Sequence, residues 1–68
     1  MAMVIINGRR VQLPSNATER EIRRAGGIGK NRTLIRRTRE GNYAVSPDSR
    51  VPAQDGDVFI DAPRRIKG

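Results

Sequence analysis

The chain has 68 residues, and fourteen Lys and Arg against seven Asp and Glu give a formal net charge of +7. A chain of this length forms one small domain, which buries only about 60% of the surface that its unfolded form exposes. It contains no Cys and no His, which excludes disulfides, thiol chemistry and the usual zinc ligand sets. No apolar segment is long enough for a signal peptide or a membrane span, so we expect a soluble cytoplasmic monomer.

The first predicted element is a β-hairpin, in which Asn7-Gly8 separates the apolar run 3–6 from residues 9–13. An Asn-Gly pair is typical of a two-residue hairpin turn, because both turn residues must accept a positive φ. The alternation of the two strands puts Ile5 and Arg10 on one face. The opposite face is expected to be the core face, with Val4, Ile6, Val11 and Leu13.

A short helix is predicted next, from about Glu19 to Ala25. Thr18 and Glu21 match a capping box, in which the Thr hydroxyl caps the helix and the Glu side chain reaches back to the cap residue. Gly26-Gly27 follows, and one of these glycines is expected to end the helix in the left-handed conformation.

Three further strands are predicted, at residues 32–38, 43–45 and 58–60, with a turn at 40–42 before the second of them. In the first, Leu34 and Ile35 lie on opposite faces. In the last, Val58 and Ile60 face one way and Phe59 the other, with Asp55-Gly56 as the preceding turn. The element order is therefore ββαβββ, an α+β domain with a mixed sheet of four or five strands packed on one short helix.

This order and three local motifs resemble the β-grasp fold of ubiquitin-like proteins over nearly the whole chain. The motifs are Asn7-Gly8 in the hairpin, Ala25-Gly26 at the helix end, and Asp55-Gly56 followed by Phe59 in the last strand. Together they are most similar to bacterial multi-ubiquitin-type domains. The opening hairpin and the closing strand also look like those of the sulfur carriers of thiamine and molybdopterin synthesis.

The resemblance implies a domain at 1–63, a flexible basic tail at 64–68, and a function for the tail. In such proteins an adenylating enzyme activates the carboxylate of the last glycine, here Gly68, for conjugation to a target protein or for sulfur transfer. Arg64, Arg65 and Lys67 would dock the tail on the activating enzyme. Most active members end in two glycines, and this chain has Lys67 before Gly68.

The sheet face away from the helix is the second site that the resemblance implies, because ubiquitin-like proteins use that face to recognise partners. The predicted alternation puts Ile5, Arg10, Ile35 and Phe59 there. An apolar cluster edged by arginine would mark a partner site.

Two other functions stay open, and an enzyme is not expected. The acidic residues offer no catalytic pair, the absence of His excludes a Ser-His or Cys-His arrangement, and no cofactor or metal site is indicated. The basic charge also favours a nucleic-acid-binding module, although Tyr43 and Phe59, the only aromatic residues, are few for base stacking. The remaining alternative is a β-grasp scaffold domain that is not conjugated.

Overall fold

The computed structural model describes residues 1–63, which form one helix and a mixed five-stranded sheet. This confirms the predicted α+β class, the single short helix and the order ββαβββ. The elements are β1 (Ala2–Ile6), β2 (Arg9–Leu13), α1 (Glu19–Gly26), β3 (Arg32–Thr38), β4 (Gly41–Ala44) and β5 (Val58–Pro63). The tail predicted at 64–68 lies outside the described residues.

The strands lie in the order β2-β1-β5-β3-β4, so the first and the last strand of the sequence are neighbours in the sheet. β1 and β5 run parallel, and the other three strand pairs are antiparallel. The first hairpin has the predicted register, with Val4 opposite Val11 and Ile5 opposite Arg10. Asn7 and Gly8 both have positive φ, as their turn requires.

The second hairpin differs from its prediction, because β4 begins at Gly41 instead of Tyr43. The Thr38 hydroxyl accepts a hydrogen bond from the Glu40 backbone N–H and donates one to the Gly41 carbonyl. These two bonds close the turn immediately after β3, so Gly41 is already paired with Thr38 in the sheet. The side chain of Thr38 therefore places the turn earlier than the turn-forming residues suggested.

The helix α1 begins and ends with the predicted caps. The Glu21 N–H donates to the Thr18 hydroxyl, and the Thr18 N–H donates to the Glu21 carboxylate at 2.9 Å, which completes the capping box. Gly27 ends the helix in the left-handed conformation with φ 67°. Among residues 1–63 no helix has the length and apolar character needed to cross a membrane.

One apolar layer lies between the helix and one face of the sheet. Its fully buried large side chains are Val4, Ile6, Ile22, Leu34 and Phe59. The sequence prediction placed Phe59 on the opposite face, and this was wrong. The alternation of β5 is as predicted, but its inward face is the one that carries Phe59, while Val58 and Ile60 point away from the helix.

The segment between β4 and β5 covers the part of the core that the short helix leaves open. Val51 and Ala53 are buried there. The Val51 N–H donates to the Ala17 carbonyl at 2.8 Å, and the Ala53 N–H donates to the Ser15 carbonyl at 2.9 Å. The segment is thus held against the chain that leads into α1, and these bonds satisfy backbone groups of an irregular region.

The capping box makes a measurable contribution to stability. Thr18→Ala removes the hydroxyl that accepts the Glu21 N–H, so we expect the free energy of unfolding to fall by about 1 kcal/mol. Thr18→Ser keeps the hydroxyl and is the matched control. Urea unfolding followed by circular dichroism measures both, and equal stability of the Ala and Ser variants would contradict the capping role.

Gly26 is required by packing. A Cβ at position 26 would collide with Cγ2 of Ile6, a side chain that is itself fully buried. We therefore expect Gly26→Ala to lower the free energy of unfolding by about 1–3 kcal/mol, despite the higher helix propensity of Ala. Gly29→Ala is the control, because a Cβ there meets no atom within 4 Å. The same urea titration measures the stability of both variants. Equal stability of Gly26→Ala and Gly29→Ala would contradict the packing role of Gly26.

Candidate functional site

The sheet face away from the helix carries a partly exposed apolar patch, which we call the open face. Pairing places Arg10, Ile5, Val58 and Arg37 in one row across four neighbouring strands. The two arginines are exposed, and the two aliphatic side chains between them are partly exposed. Three strand spacings separate Arg10 from Arg37, which is about 14 Å.

A second row extends the apolar patch. Ile60 of β5 is opposite Ile35 of β3, and Ile35 is opposite Ala44 of β4. Ile60 and Ile35 are partly exposed, and within residues 1–63 the helix lies on the other side of the sheet. The open face therefore has an aliphatic centre with a guanidinium at each end of its longer row.

The structure brings together three of the four residues that were predicted for the partner-binding face. Ile5, Arg10 and Ile35 lie on the open face, whereas Phe59 is fully buried in the core. Val58 and Ile60 take the place that the prediction gave to Phe59. The local sequence gives no signal for this exchange, since Asp57 and Asp61 lie at the positions that share the face of Phe59 and favour the exposure of that face.

Gly68, Arg64, Arg65 and Lys67, the predicted conjugation and tail-docking residues, lie outside the described residues. What the structure places is their attachment point. β5 ends at Pro63, and β5 is the central strand of the sheet, with two strands on each side.

The two carboxylates that flank Phe59 neutralise two arginines of β3. Arg36 donates to Asp57 at 2.9 Å, and Arg32 donates to Asp61 at 2.9 Å. All four side chains are partly buried at the edges of the core. These two arginines are therefore held within the domain and add less to a binding surface than the exposed arginines do.

Two carboxyl groups have lowered pKa values. The hydrogen bond and the charge of the Arg32 guanidinium hold the pKa of Asp61 below its ordinary value of 3.8. The pKa of Glu21 is lowered from 4.5 chiefly by the hydrogen bond from the Thr18 backbone N–H, with a further contribution from the Thr18 hydroxyl. Both groups are structural, one at the core edge and one at the helix cap.

A second candidate surface is an open groove of about 600 Å³ beside α1. It is lined by Glu19, Arg20, Arg23, Arg24, Ile28, Lys30 and Asp48. Arg23 is paired with the buried Glu19, and Arg20 approaches Asp48 at 3.7 Å with both side chains exposed. Arg24 and Lys30 are the charges that remain for an anion. Among residues 1–63 no acidic cluster forms a set of metal ligands.

Comparison with protein-family models, with curated proteins and with solved structures gives no significant match for this chain.

The lowered pKa values predict a loss of stability in acid. In the unfolded chain Asp61 and Glu21 regain their ordinary pKa values, so near pH 4 the unfolded state binds more protons than the native state. The stabilisation by these carboxylates is complete above pH 3.8 and 4.5 respectively, and it is lost as the pH falls through the lower native values. Urea unfolding at several values between about pH 6 and about pH 2 measures this dependence.

Asp61→Asn and Glu21→Gln assign the effect to these two groups. Each amide keeps an oxygen that accepts the same hydrogen bond but does not titrate. We expect each variant to be less stable than the parent at neutral pH and to show a smaller decline between these pH limits. A variant whose decline matches that of the parent would show that its carboxyl group does not contribute.

Proposed function

We propose that this chain is a ubiquitin-like modifier or carrier protein with a β-grasp fold. In this proposal an adenylating enzyme activates the Gly68 carboxylate, which is then joined to a target protein. The observation that supports it most is the sheet order β2-β1-β5-β3-β4, with β1 parallel to β5 and the only helix of residues 1–63 packed across one face. A hairpin, a crossing helix and a last strand that returns beside the first are the arrangement expected of a β-grasp protein.

The attachment point of residues 64–68 suits this proposal. Residues 64–68 continue directly from the central strand, and their attachment point, Pro63, is paired with Arg32 of β3. Glycine has no Cβ, and a carboxylate on glycine passes through a narrow channel more easily than one on any other residue. Arg64, Arg65 and Lys67 would then bind acidic groups of the activating enzyme, since complementary charge mainly sets the rate and the specificity of docking.

The open face would recognise the activating enzyme or the target. Its aliphatic centre of Ile5, Val58, Ile60 and Ile35 supplies apolar area to bury, and Arg10 and Arg37 at the two ends supply charge. Apolar centres with a charged rim are typical of protein interfaces. The partner expected on this face has aliphatic side chains between two carboxylates.

A nucleic-acid-binding module is the second candidate, with the groove beside α1 as its contact surface. Arg24 and Lys30 favour phosphate there. Glu19 and Asp48 in the same groove pair with two of its four basic side chains, which weakens the field that a phosphate would meet. We therefore place this function after the modifier. A β-grasp scaffold that is not conjugated is the third.

The modifier proposal is tested in the protein's own host. A chain tagged at its N-terminus is expressed with Gly68 and without it, and adducts are sought by immunoblot and by mass analysis. We expect species of higher mass, or a sulfur-for-oxygen mass shift, that are present with Gly68 and vanish when it is deleted.

A second variant separates the tail from the open face. Ile60→Ser changes that face without touching residues 64–68, and we expect it to reduce adduct formation while the protein stays folded, as measured by circular dichroism. Phe59 is not a suitable position for this test, because it is buried and its replacement would remove core packing. Identical single species from the parent and from the Gly68 deletion would overturn the modifier proposal and leave a scaffold or binding role.

A further inference from the structure

β4 is the last strand on its side of the sheet within residues 1–63, and half of its backbone groups have no strand partner there. The Val45 N–H donates to the Leu34 carbonyl at 2.9 Å, which makes these two residues a hydrogen-bonded pair. In an antiparallel ladder such pairs alternate with pairs that are not bonded to each other. The N–H and C=O groups of Asn42 and Ala44 therefore point away from β3 and are available to another strand.

The two edges of the sheet differ in their protection. β2 carries Arg9 and Arg10 and is followed by Pro14, and charge and proline are common devices against pairing at an edge. β4 has neither a charged residue nor a proline, and all four of its residues are exposed. Of the two edges, β4 is the one that is open to an added strand.

Acidic side chains suit the surroundings of this edge. Arg37 of β3 is exposed and lies opposite Asn42 of β4 on the open face. A strand added beside β4 would lie about 10 Å from β3, within the combined reach of an arginine and a carboxylate side chain. None of the ion pairs within residues 1–63 involves Arg37 or Arg39, whereas Arg36 is held by Asp57.

The C-terminal end of β4 has room for a side chain of an added strand. An open depression of about 300 Å³ lies where β4 ends, lined by Ala44, Val45, Ser46 and Pro47 together with Arg23 and Thr33. Next to this depression, Tyr43 is 53% exposed and faces the side of the sheet on which the helix packs. An added strand would have contacts of different character on its two faces.

A second copy of this chain fits the edge poorly. Antiparallel pairing of two β4 strands about Tyr43 would match Asn42 of one copy with Ala44 of the other. The obstacle is charge, because this pairing would bring together two molecules of net charge +7, each with Arg37 and Arg39 near the contact. The charge therefore selects an acidic partner over self-association.

We propose that the outer edge of β4 binds an extended acidic segment of another protein as a sixth strand. The backbone groups of Asn42 and Ala44 supply the hydrogen bonds, and Arg37 and Arg39 supply the preference for carboxylates. Main-chain bonds give the affinity of such a contact and alternate side chains its specificity. This site shares Arg37 with the open face but takes its hydrogen bonds from the strand edge, and it does not depend on the activation of Gly68.

The test uses the full chain and a short synthetic peptide of alternating Val and Glu with blocked ends. Tyr43 is the only tyrosine and the chain has no Trp, so its fluorescence reports directly on the edge. We expect saturable binding of this peptide and no binding of a peptide in which Lys replaces Glu. Amide chemical shifts, measured by NMR, should change most at Asn42 and Ala44.

Two proline variants provide the matched comparison. Ala44→Pro removes an N–H that points away from β3, so the pairing of β3 with β4 is kept, and we expect the affinity to fall by about tenfold or more. Gln12→Pro removes an equivalent outward N–H on the β2 edge and should leave the affinity unchanged. Circular dichroism confirms the folding of each variant.

Four results would overturn the proposal. The first is the absence of peptide binding to the parent protein, and the second is equal binding by Ala44→Pro. The third is a set of shift changes centred on the open face or on the groove beside α1 instead of on β4. The fourth is sedimentation showing a dimer that Ala44→Pro dissociates, since a second copy would then occupy the edge. The chemical-shift measurement uses the parent protein, so it tests the proposal even where a proline variant fails to fold.

Discussion

The domain depends on a single apolar layer, which one helix of eight residues cannot cover alone. An α-helix of this length extends only about 12 Å, whereas the inward face of the sheet spans five strands. Ile22 is the helix residue that is fully buried, and it packs in the same cluster as Phe59 and Leu34. The segment between β4 and β5 therefore has to complete the layer, and its hydrogen bonds to residues 15–17 hold it there.

The small size of this apolar layer also affects where the charged side chains of β3 and β5 lie. β3, β5 and Asp57 just before β5 present two arginines and two carboxylates toward the helix side, next to Leu34 and Phe59: Arg32, Arg36, Asp57 and Asp61. Partly buried charges are tolerated when they are paired and hydrogen-bonded, and each of these four has its partner across the strand boundary. The surplus of positive charge is then left to exposed arginines on the open face, on α1 and around the turn between β3 and β4.

Two surfaces follow from this distribution, and they serve different kinds of contact. The open face offers aliphatic area between Arg10 and Arg37, which suits a folded partner with a matching surface. The edge of β4 offers backbone groups, which suit an extended segment. Arg37 contributes to both, so occupancy of one surface would change the charge that the other presents.

The sequence alone determined the local structure, because its signals act over a few residues. Asn7-Gly8 set the first hairpin and its register, Thr18 with Glu21 set the start of α1, and Gly27 ended it. The order of elements and the alternation along each strand also followed from the residues. The β4 boundary was missed because a side-chain hydrogen bond of Thr38 outweighed the turn-forming residues after it.

Only the tertiary structure decided which face of β5 is buried. By apolar count Val58 and Ile60 outweigh Phe59, and a local pattern cannot show that Asp57 and Asp61 beside Phe59 will meet Arg36 and Arg32 from a strand more than twenty residues away. That pairing removes the cost of turning two carboxylates toward the core and lets the larger side chain fill it. Three features depend on contacts between distant segments: the inward face of β5, the composition of the open face and the exposed edge of β4. No single stretch of sequence specifies such contacts.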